Sequence, residues 1–400
     1  MIVQINAACR GEKEGTTTTT PWSLKPKDTV EPHEPQTQKC GTRIPHSVES
    51  FTDRMFPLLV PSGGSISGFL IGFQGTGFPG VQCKSLDSRY NDDEDAGSIF
   101  GDSSRMSLDS DLKHYRLEND RRYHTYRDGE YWIPHDDEAL RLDLYAHHMF
   151  ILTLNNKLFL APINNPKRVM DVGTGIGIWA SDVADKFPEA EVIGTDLSPT
   201  FRATPAPNLL FEIDDCCSEW IYPPNHFDYV HVRFLYASIA DWPAFYKECF
   251  DHIAPGGYIE HSEPRPALLS DDGSIAPGDI MHQCSDLAKE ASHNFGKNIM
   301  IAPHIKTMIE EAGFVNVVEK QYKWPIGEWP VDRKLKDIGR WNMQHWLEGL
   351  DAWTLRLLTQ YCGWTSDEVK AWTARMRTSL VDPKHHAYQT INVVYARKPL

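Results

Sequence analysis

Downstream of residue 165 the chain alternates short apolar runs with longer stretches in which apolar residues recur every three or four positions. The runs at 168–172, 191–195, 209–213, 227–232 and 258–261 predict strands. The stretches at 178–187 and 243–253 predict helices between them. Alternation of this kind predicts a parallel sheet covered by helices on both faces. Pro255, Gly256 and Gly257 predict a turn just before the fifth strand. Two further strands are predicted at 315–322 and 391–396, with a helical insertion over about 332–380 before the last one. Thr365 and Glu368 have capping-box spacing at the start of a helix. Val369, Trp372, Met376 and Leu380 then form one apolar stripe, which suits core packing and equally a lid over a substrate.

The pattern divides the chain. Residues 1–112 hold a threonine run (Thr16 to Thr20), several prolines and an acidic, serine-rich stretch, and are expected to form a disordered tail. Within it the apolar, glycine-rich piece at 55–83 fits neither core nor tail, and reads as a gene-model artefact such as a retained intron. Residues 113–165 are expected to form an aromatic and helical cap. Its helix starts at Asp136-Asp137, carries apolar Leu140, Leu144, Ile151 and Leu154, and is expected over the cofactor end of the first strand. Residues 166–400 form the α/β domain.

Composition narrows the function. The formal net charge of −15 argues against sequence-independent nucleic-acid binding, which needs a basic face. It permits a neutral small molecule or a basic protein partner. The eight cysteines include no C-x-x-C, and the 17 histidines no H-E-x-x-H, so no metal site is predicted. The apolar stretch at 55–73 is broken by Pro57, Pro61, Gly63, Gly64 and Gly68, so no membrane span is expected. With no secretory signal, a soluble protein of the cytoplasm or nucleus is expected.

The chemistry is concentrated in RVMDVGTGIGIW, residues 168–179. A strand that ends in glycines and leads into a helix makes a nucleotide-type cofactor site, because the helix offers free N–H groups. Dinucleotide binders space their glycines G-x-G-x-x-G. Here Gly173, Gly175 and Gly177 put the third glycine one place early, and Asp171 precedes them. Asp196, followed by Leu197, ends the second strand where a carboxylate accepts ribose hydroxyls. Asp214 and Asp215 follow the third strand.

The pattern D-x-G-x-G-x-G resembles motif I of class I S-adenosylmethionine-dependent methyltransferases. FDYV and APGGY resemble that superfamily's fourth and fifth strand motifs. GTGIGIWA, VIGTDLSP, FEIDD, SIADWP, PGGYIE, EEAGFVNVVEKQYKWPIGEWP and HHAYQTINVVYARKP resemble the fungal LaeA-like methyltransferases of secondary metabolism, as does YHTYRDGEYWIPHDDEALRLDL upstream. The resemblance covers about residues 115–400. It implies a Rossmann-like fold with a seven-stranded, mostly parallel sheet, and S-adenosylmethionine bound by Asp171, Gly173, Thr174, Gly175, Gly177, Asp196, Leu197, Asp214 and Asp215. Cys216-Cys217 departs from the family's Ala and acid, which alters the polarity expected at the adenine end.

Methyl transfer is an in-line displacement, so the protein mainly supplies position and a dry site. If a base is used, His231 and His261 at strand ends are the candidates. Tyr126, Tyr131, Trp132, Arg233 and Tyr236 are expected to line the substrate. Three readings follow: an O- or N-directed methyltransferase of a small-molecule intermediate, a nuclear regulator of metabolite clusters acting through protein partners, and a cofactor-binding scaffold without turnover.

Overall fold

The computed structural model describes residues 115–124, 131–203 and 206–400. The tail expected over 1–112, the piece at 55–83 and Tyr126 lie outside the described residues. A hairpin of β1 (Tyr115–Glu118) and β2 (Arg121–His124) precedes α1 (Asp137–Thr153). Asp136 caps α1 by accepting from the Ala139 amide at 3.0 Å, and its carboxylate also takes both arms of the Arg121 guanidinium. One side chain thus starts the helix and ties it to the hairpin.

The α/β body continues through β3 (Arg168–Val172), α2 (Ile178–Lys186), β4 (Glu191–Asp196), β5 (Leu209–Ile213), β6 (Phe227–Arg233), α3 (Trp242–His252) and β7 (Ile253–Pro264). After it come α4 (Ile280–Phe295), α5 (Ile305–Glu311), β8 (Val315–Pro325), α6 (Arg333–Tyr361), α7 (Ser366–Leu380) and β9 (Tyr388–Arg397). The seven-stranded sheet has the order β5-β4-β3-β6-β7-β9-β8. β5 to β7 run parallel, while β9 pairs antiparallel with both β7 and β8. This is the Rossmann-like fold expected from the alternation of elements. Strand order reverses between β3 and β6, and ligands in such sheets bind outside the strand ends at that reversal.

Side chains of β3 alternate between two cores because successive residues face opposite sides of a strand. Met170 and Val172 pack with Trp242, Phe245 and Ile305 from α3 and α5. Val169 packs with Trp179, Ala180 and Val183 of α2. The lid has a core of its own: Met281, Trp346, Leu350, Trp372 and Met376 from α4, α6 and α7 bury one another. Each such side chain contributes about 2 kcal/mol on burial, so the lid is held by its own packing as well as by the sheet.

Three details differ from the sequence expectations. Pro255, Gly256 and Gly257 lie inside β7, where the pairing with β6 shifts register; they form a bulge, with Gly256 at φ +84°, not a turn. The insertion is two helices, α6 and α7, and α4 was not foreseen because its buried positions, Ile280, Met281, Ala288 and Ala291, are few and widely spaced. The buried face of α1 is Leu142, Tyr145, Ala146, Met149 and Phe150, whereas Leu140, Leu144 and Ile151 are only half-buried. Packing of α1 against α6 turns the aromatic side inward. The stripe of Val369, Trp372, Met376 and Leu380 is buried. No helix among the described residues is long and apolar enough to cross a membrane.

Candidate functional site

The glycine loop leaves β3 at the strand-order reversal. Gly173, Gly175 and Gly177 have φ of +67°, +56° and +80°, the left-handed region that penalises a Cβ. Space adds a second constraint at all three. A Cβ on Gly173 would lie 2.4 Å from Leu235 Cδ2, and one on Gly175 would lie 2.8 Å from Asp143 Oδ2.

Asp171 sits beneath this loop, buried, and both its oxygens are used internally. Oδ2 accepts from the Thr174 hydroxyl at 2.6 Å, and Oδ1 lies 2.7 Å from His231 Nδ1. Register explains the meeting, since Asp171 and His231 are cross-strand partners on β3 and β6. The His231 ring also stacks on Trp179 with centroids 3.6 Å apart and planes 5° apart. Burial pushes its pKa down to about 4, against the pull of Asp171. A neutral ring with Nδ1–H donated to the carboxylate satisfies both partners. His231 is therefore placed as a brace under the loop and does not line the cavity above it.

That cavity is open to solvent, and its empty space, solvent at the mouth included, is about 1550 Å³. Gly173, Thr174 and Gly175 line it from the loop, Asp196 and Leu197 from the end of β4, and Asp214 and Asp215 from the end of β5. Tyr131 and Asp143 line it from the cap, and Arg233 and Tyr236 from the end of β6. Gly177 does not; its missing side chain would meet the Phe211 ring at 2.4 Å. Asp196 accepts from the Gly175 amide at 2.9 Å and the Ser198 amide at 3.1 Å, so it also clamps the loop. Asp214 and Asp215 cap the turn that follows them, each accepting from a backbone amide just downstream.

The cavity carries an electrostatic demand. Burial, and then the charge of Asp196, raises the Asp143 carboxyl to about 7, with the Arg233 guanidinium opposing. Burial raises Asp196 to about 6, with the Gly175 and Ser198 amides opposing. The guanidinium of Arg233 itself lies within 3.4 Å of His147 Nδ1 and 5.1 Å from the centre of the Phe150 ring. A ligand with a cationic centre near the acids and a carboxylate for the arginine answers all three. The methionine end of S-adenosylmethionine, with its sulfonium, ammonium and carboxylate, is such a ligand. The residues present fit the cofactor.

Asp215, Cys216 and Cys217 bring three ligand-type atoms together on the rim. The Cys216 thiol is raised well above its ordinary range, first by a hydrogen bond with Cys217 and then by burial.

A second chamber opens beside the first, and the two share Phe234, Tyr236, His345 and Trp353. Its empty space, open solvent included, is about 780 Å³, and it is walled by apolar side chains of the lid and of Trp132. Trp132 thus falls on the chamber rather than on the first cavity. His261 lines neither space. It is wholly buried, 2.7 Å from the Tyr246 hydroxyl and 2.9 Å from Glu263 Oε1, and stacks near Trp242. Glu263 in turn accepts from the Leu235 and Tyr236 amides, so His261 belongs to a framework that holds the loop after β6.

Two residues of this site were not singled out from sequence. Asp143 lies on α1 one position from buried Leu142, and only the packing of α1 over the loop turns it toward Gly175. Its helical spacing to Leu140 and Ala146, which line the same cavity, was the available signal. His345 lies mid-helix in α6, where a lone histidine carries no motif.

Known proteins agree with this geometry. The family described as a methyltransferase domain matches residues 145–319. The methyltransferase pytC of Aspergillus terreus is 35% identical over 315 residues, which are 78% of this chain and 97% of that one. The secondary metabolism regulator LAE1 of Cochliobolus heterostrophus is 34% identical over 291 residues, 71% of this chain and 94% of that one. The probable methyltransferase tdiE of Emericella nidulans is 32% identical over 265 residues, 66% of this chain and 83% of that one.

Proposed function

The chain belongs to the LaeA-like family of class I S-adenosylmethionine-dependent methyltransferases, and on that premise we propose that it methylates a small, largely apolar molecule of secondary metabolism. The observation that carries this reading is the junction of the two spaces. A cavity whose carboxylates Asp143 and Asp196 are held toward their protonated forms shares the wall of Phe234, Tyr236, His345 and Trp353 with an apolar chamber of the lid. When bound, the cofactor supplies an activated methyl group, so the chain has to hold two partners in line and exclude water.

Each residue then has a stated task in the proposal. Asp196 accepts from the ribose hydroxyls, and Asp214 and Asp215 bound the adenine end. Gly173, Thr174, Gly175 and Leu197 form the wall against which the cofactor lies. Asp143 balances its ammonium and Arg233 its carboxylate. Asp171, through Thr174 and His231, keeps the loop in shape rather than touching the ligand. Tyr131 lines the cofactor cavity and Tyr236 both spaces, where the acceptor would meet the cofactor.

The test is transfer of labelled methyl groups from S-adenosylmethionine to extracts of strains with and without the gene. A labelled small molecule absent from the deletion strain's own metabolites is the expected result. Labelling confined to protein would overturn the proposal. A second reading, regulation of metabolite clusters through protein partners in the nucleus, is favoured by the similarity to LAE1. It predicts wide transcript changes on deletion, which a pathway enzyme would not produce.

A further inference from the structure

The apolar chamber has a charge pattern of its own. Among the described residues, no aspartate, glutamate, lysine or arginine lines it. Its polar groups are mostly engaged: the Trp346 indole donates to Gln389 Oε1, and the Thr354 hydroxyl donates to the Leu350 carbonyl at 2.6 Å. Two polar atoms are buried without a hydrogen-bond partner among the described residues, His345 Nδ1 and Trp132 Nε1. Buried polar atoms are nearly always paired, because an unpaired one costs about 1–3 kcal/mol. In either neutral tautomer His345 Nδ1 has an unused hydrogen or an unused lone pair. The residue is 7% exposed, faces both the cofactor cavity and the chamber, and is held by an edge contact with Trp353 at 4.8 Å.

We infer that His345 takes the proton of the methyl acceptor, and that the acceptor is an uncharged, mainly apolar molecule presenting a hydroxyl or phenol to it. The inference rests on the methyl-transfer reading above and narrows it to oxygen. An aliphatic amine would enter as an ammonium ion, and a chamber without a carboxylate does not pay its desolvation. Trp132 Nε1–H is a donor, so it suits an acceptor oxygen elsewhere on the same molecule.

Other titratable groups on the chamber wall are unsuited to the task. Burial raises the Cys284 thiol to about 12 and lifts the Tyr236 phenol further above its usual value, so both keep their protons. His345 is held neutral by burial alone, at about 3, and so offers a lone pair. The step balances. The acceptor oxygen bonds to the methyl carbon, the carbon–sulfur pair stays with sulfur, and the hydroxyl proton passes to the imidazole. The site holds one positive charge on sulfur before transfer and one on the ring after it. No new charge is therefore created in the dry chamber, and this offsets the weak basicity of the buried ring.

2-Naphthol is the probe, because light makes it a strong acid whose emission reports proton loss to a neighbouring base. Full-length wild type, His345→Ala and His345→Gln would be compared, the glutamine variant filling similar space. Bound to wild type, naphthol should emit as naphtholate; bound to either variant it should emit as the neutral phenol. Methylation of 2-naphthol should fall on the order of a hundredfold in both variants, the usual scale for loss of a general base. Methylation of thiophenol, whose thiol enters neutral but is acidic enough to ionise beside the cofactor's sulfonium without a base, should change less than about threefold by the same argument. Equal losses for both probes, or neutral naphthol emission from wild type, would overturn the inference. Calorimetry with S-adenosylmethionine separates the two levels. Cofactor binding without transfer to either probe sinks the role of His345 alone, whereas no cofactor binding sinks the methyltransferase reading with it.

Discussion

The two histidines that meet the site in different ways, His231 and His345, mark two differently built halves. His231 stands on a central strand, stacked on Trp179 and bonded through Nδ1 to Asp171. His345 stands on a lid helix with a buried nitrogen unpaired. The cofactor half asks a ligand for charge, through Asp143 and Asp196, and the lid half asks one for a hydrogen bond. A donor half made from strand ends serves a cofactor that never changes. An acceptor half made from packed helices can be reshaped by lid residues without touching the sheet.

Substitutions that break only one half sharpen this contrast. Trp346→Ala has the largest expected effect: it opens a void in the lid core and releases Gln389, at a cost of about 3–5 kcal/mol. Chemical denaturation should show that loss, while the affinity for S-adenosylmethionine of the protein that remains folded stays near wild type. A parallel collapse of cofactor affinity would mean the halves are one unit.

His231→Ala should cost about 3 kcal/mol, because the Asp171 carboxylate loses a partner in a buried site. The expected signature is a lowered Tm, with naphtholate emission from bound 2-naphthol retained. Unchanged stability together with lost turnover would return His231 to the role of base.

Asp196→Ala removes a loop clamp and the proposed ribose contact at once. Cofactor affinity should weaken by about 1.5–3 kcal/mol, on the order of ten- to a hundredfold in Kd. Titration with 2-naphthol should be indifferent to it. A cofactor Kd equal to that of wild type would remove Asp196 from the ribose.

The smallest effect is that of pH on cofactor binding. Asp143 and Asp196 hold their protons up to about 7 and about 6 in the free protein. A cationic ligand favours their ionised forms, so both pKa values fall on binding and protons are released. Affinity should therefore decline severalfold per unit as pH drops below about 7, and level off above it. Calorimetry in buffers of different ionisation enthalpy should register proton release near pH 6. Proton uptake there would show that the acids face something other than a cation.

The strands were legible because a sheet covered on both faces needs apolar runs, and 168–172, 191–195 and 209–213 supply them. The cofactor loop was legible because its glycines are demanded locally, by positive φ. The capping box at Thr365 and Glu368 is likewise a local bond pattern, and the structure contains it. The face of α1 was misread because Leu140, Leu144 and Ile151 have helical spacing, yet Tyr145, Met149 and Phe150 win the contact with the lid and the sheet.

Sequence by itself determined the alternating α/β order, the glycine turn and the acids that end the second and third strands, since each follows from bonds and sterics within a few residues. Tertiary structure alone decided that Asp171 faces His231 across two strands, that Asp143 reaches the loop, and that His345 stands between cofactor and chamber. Those meetings depend on sheet register and on how three lid helices pack. Both are settled by the total burial of many distant side chains, a quantity that no short window of residues contains.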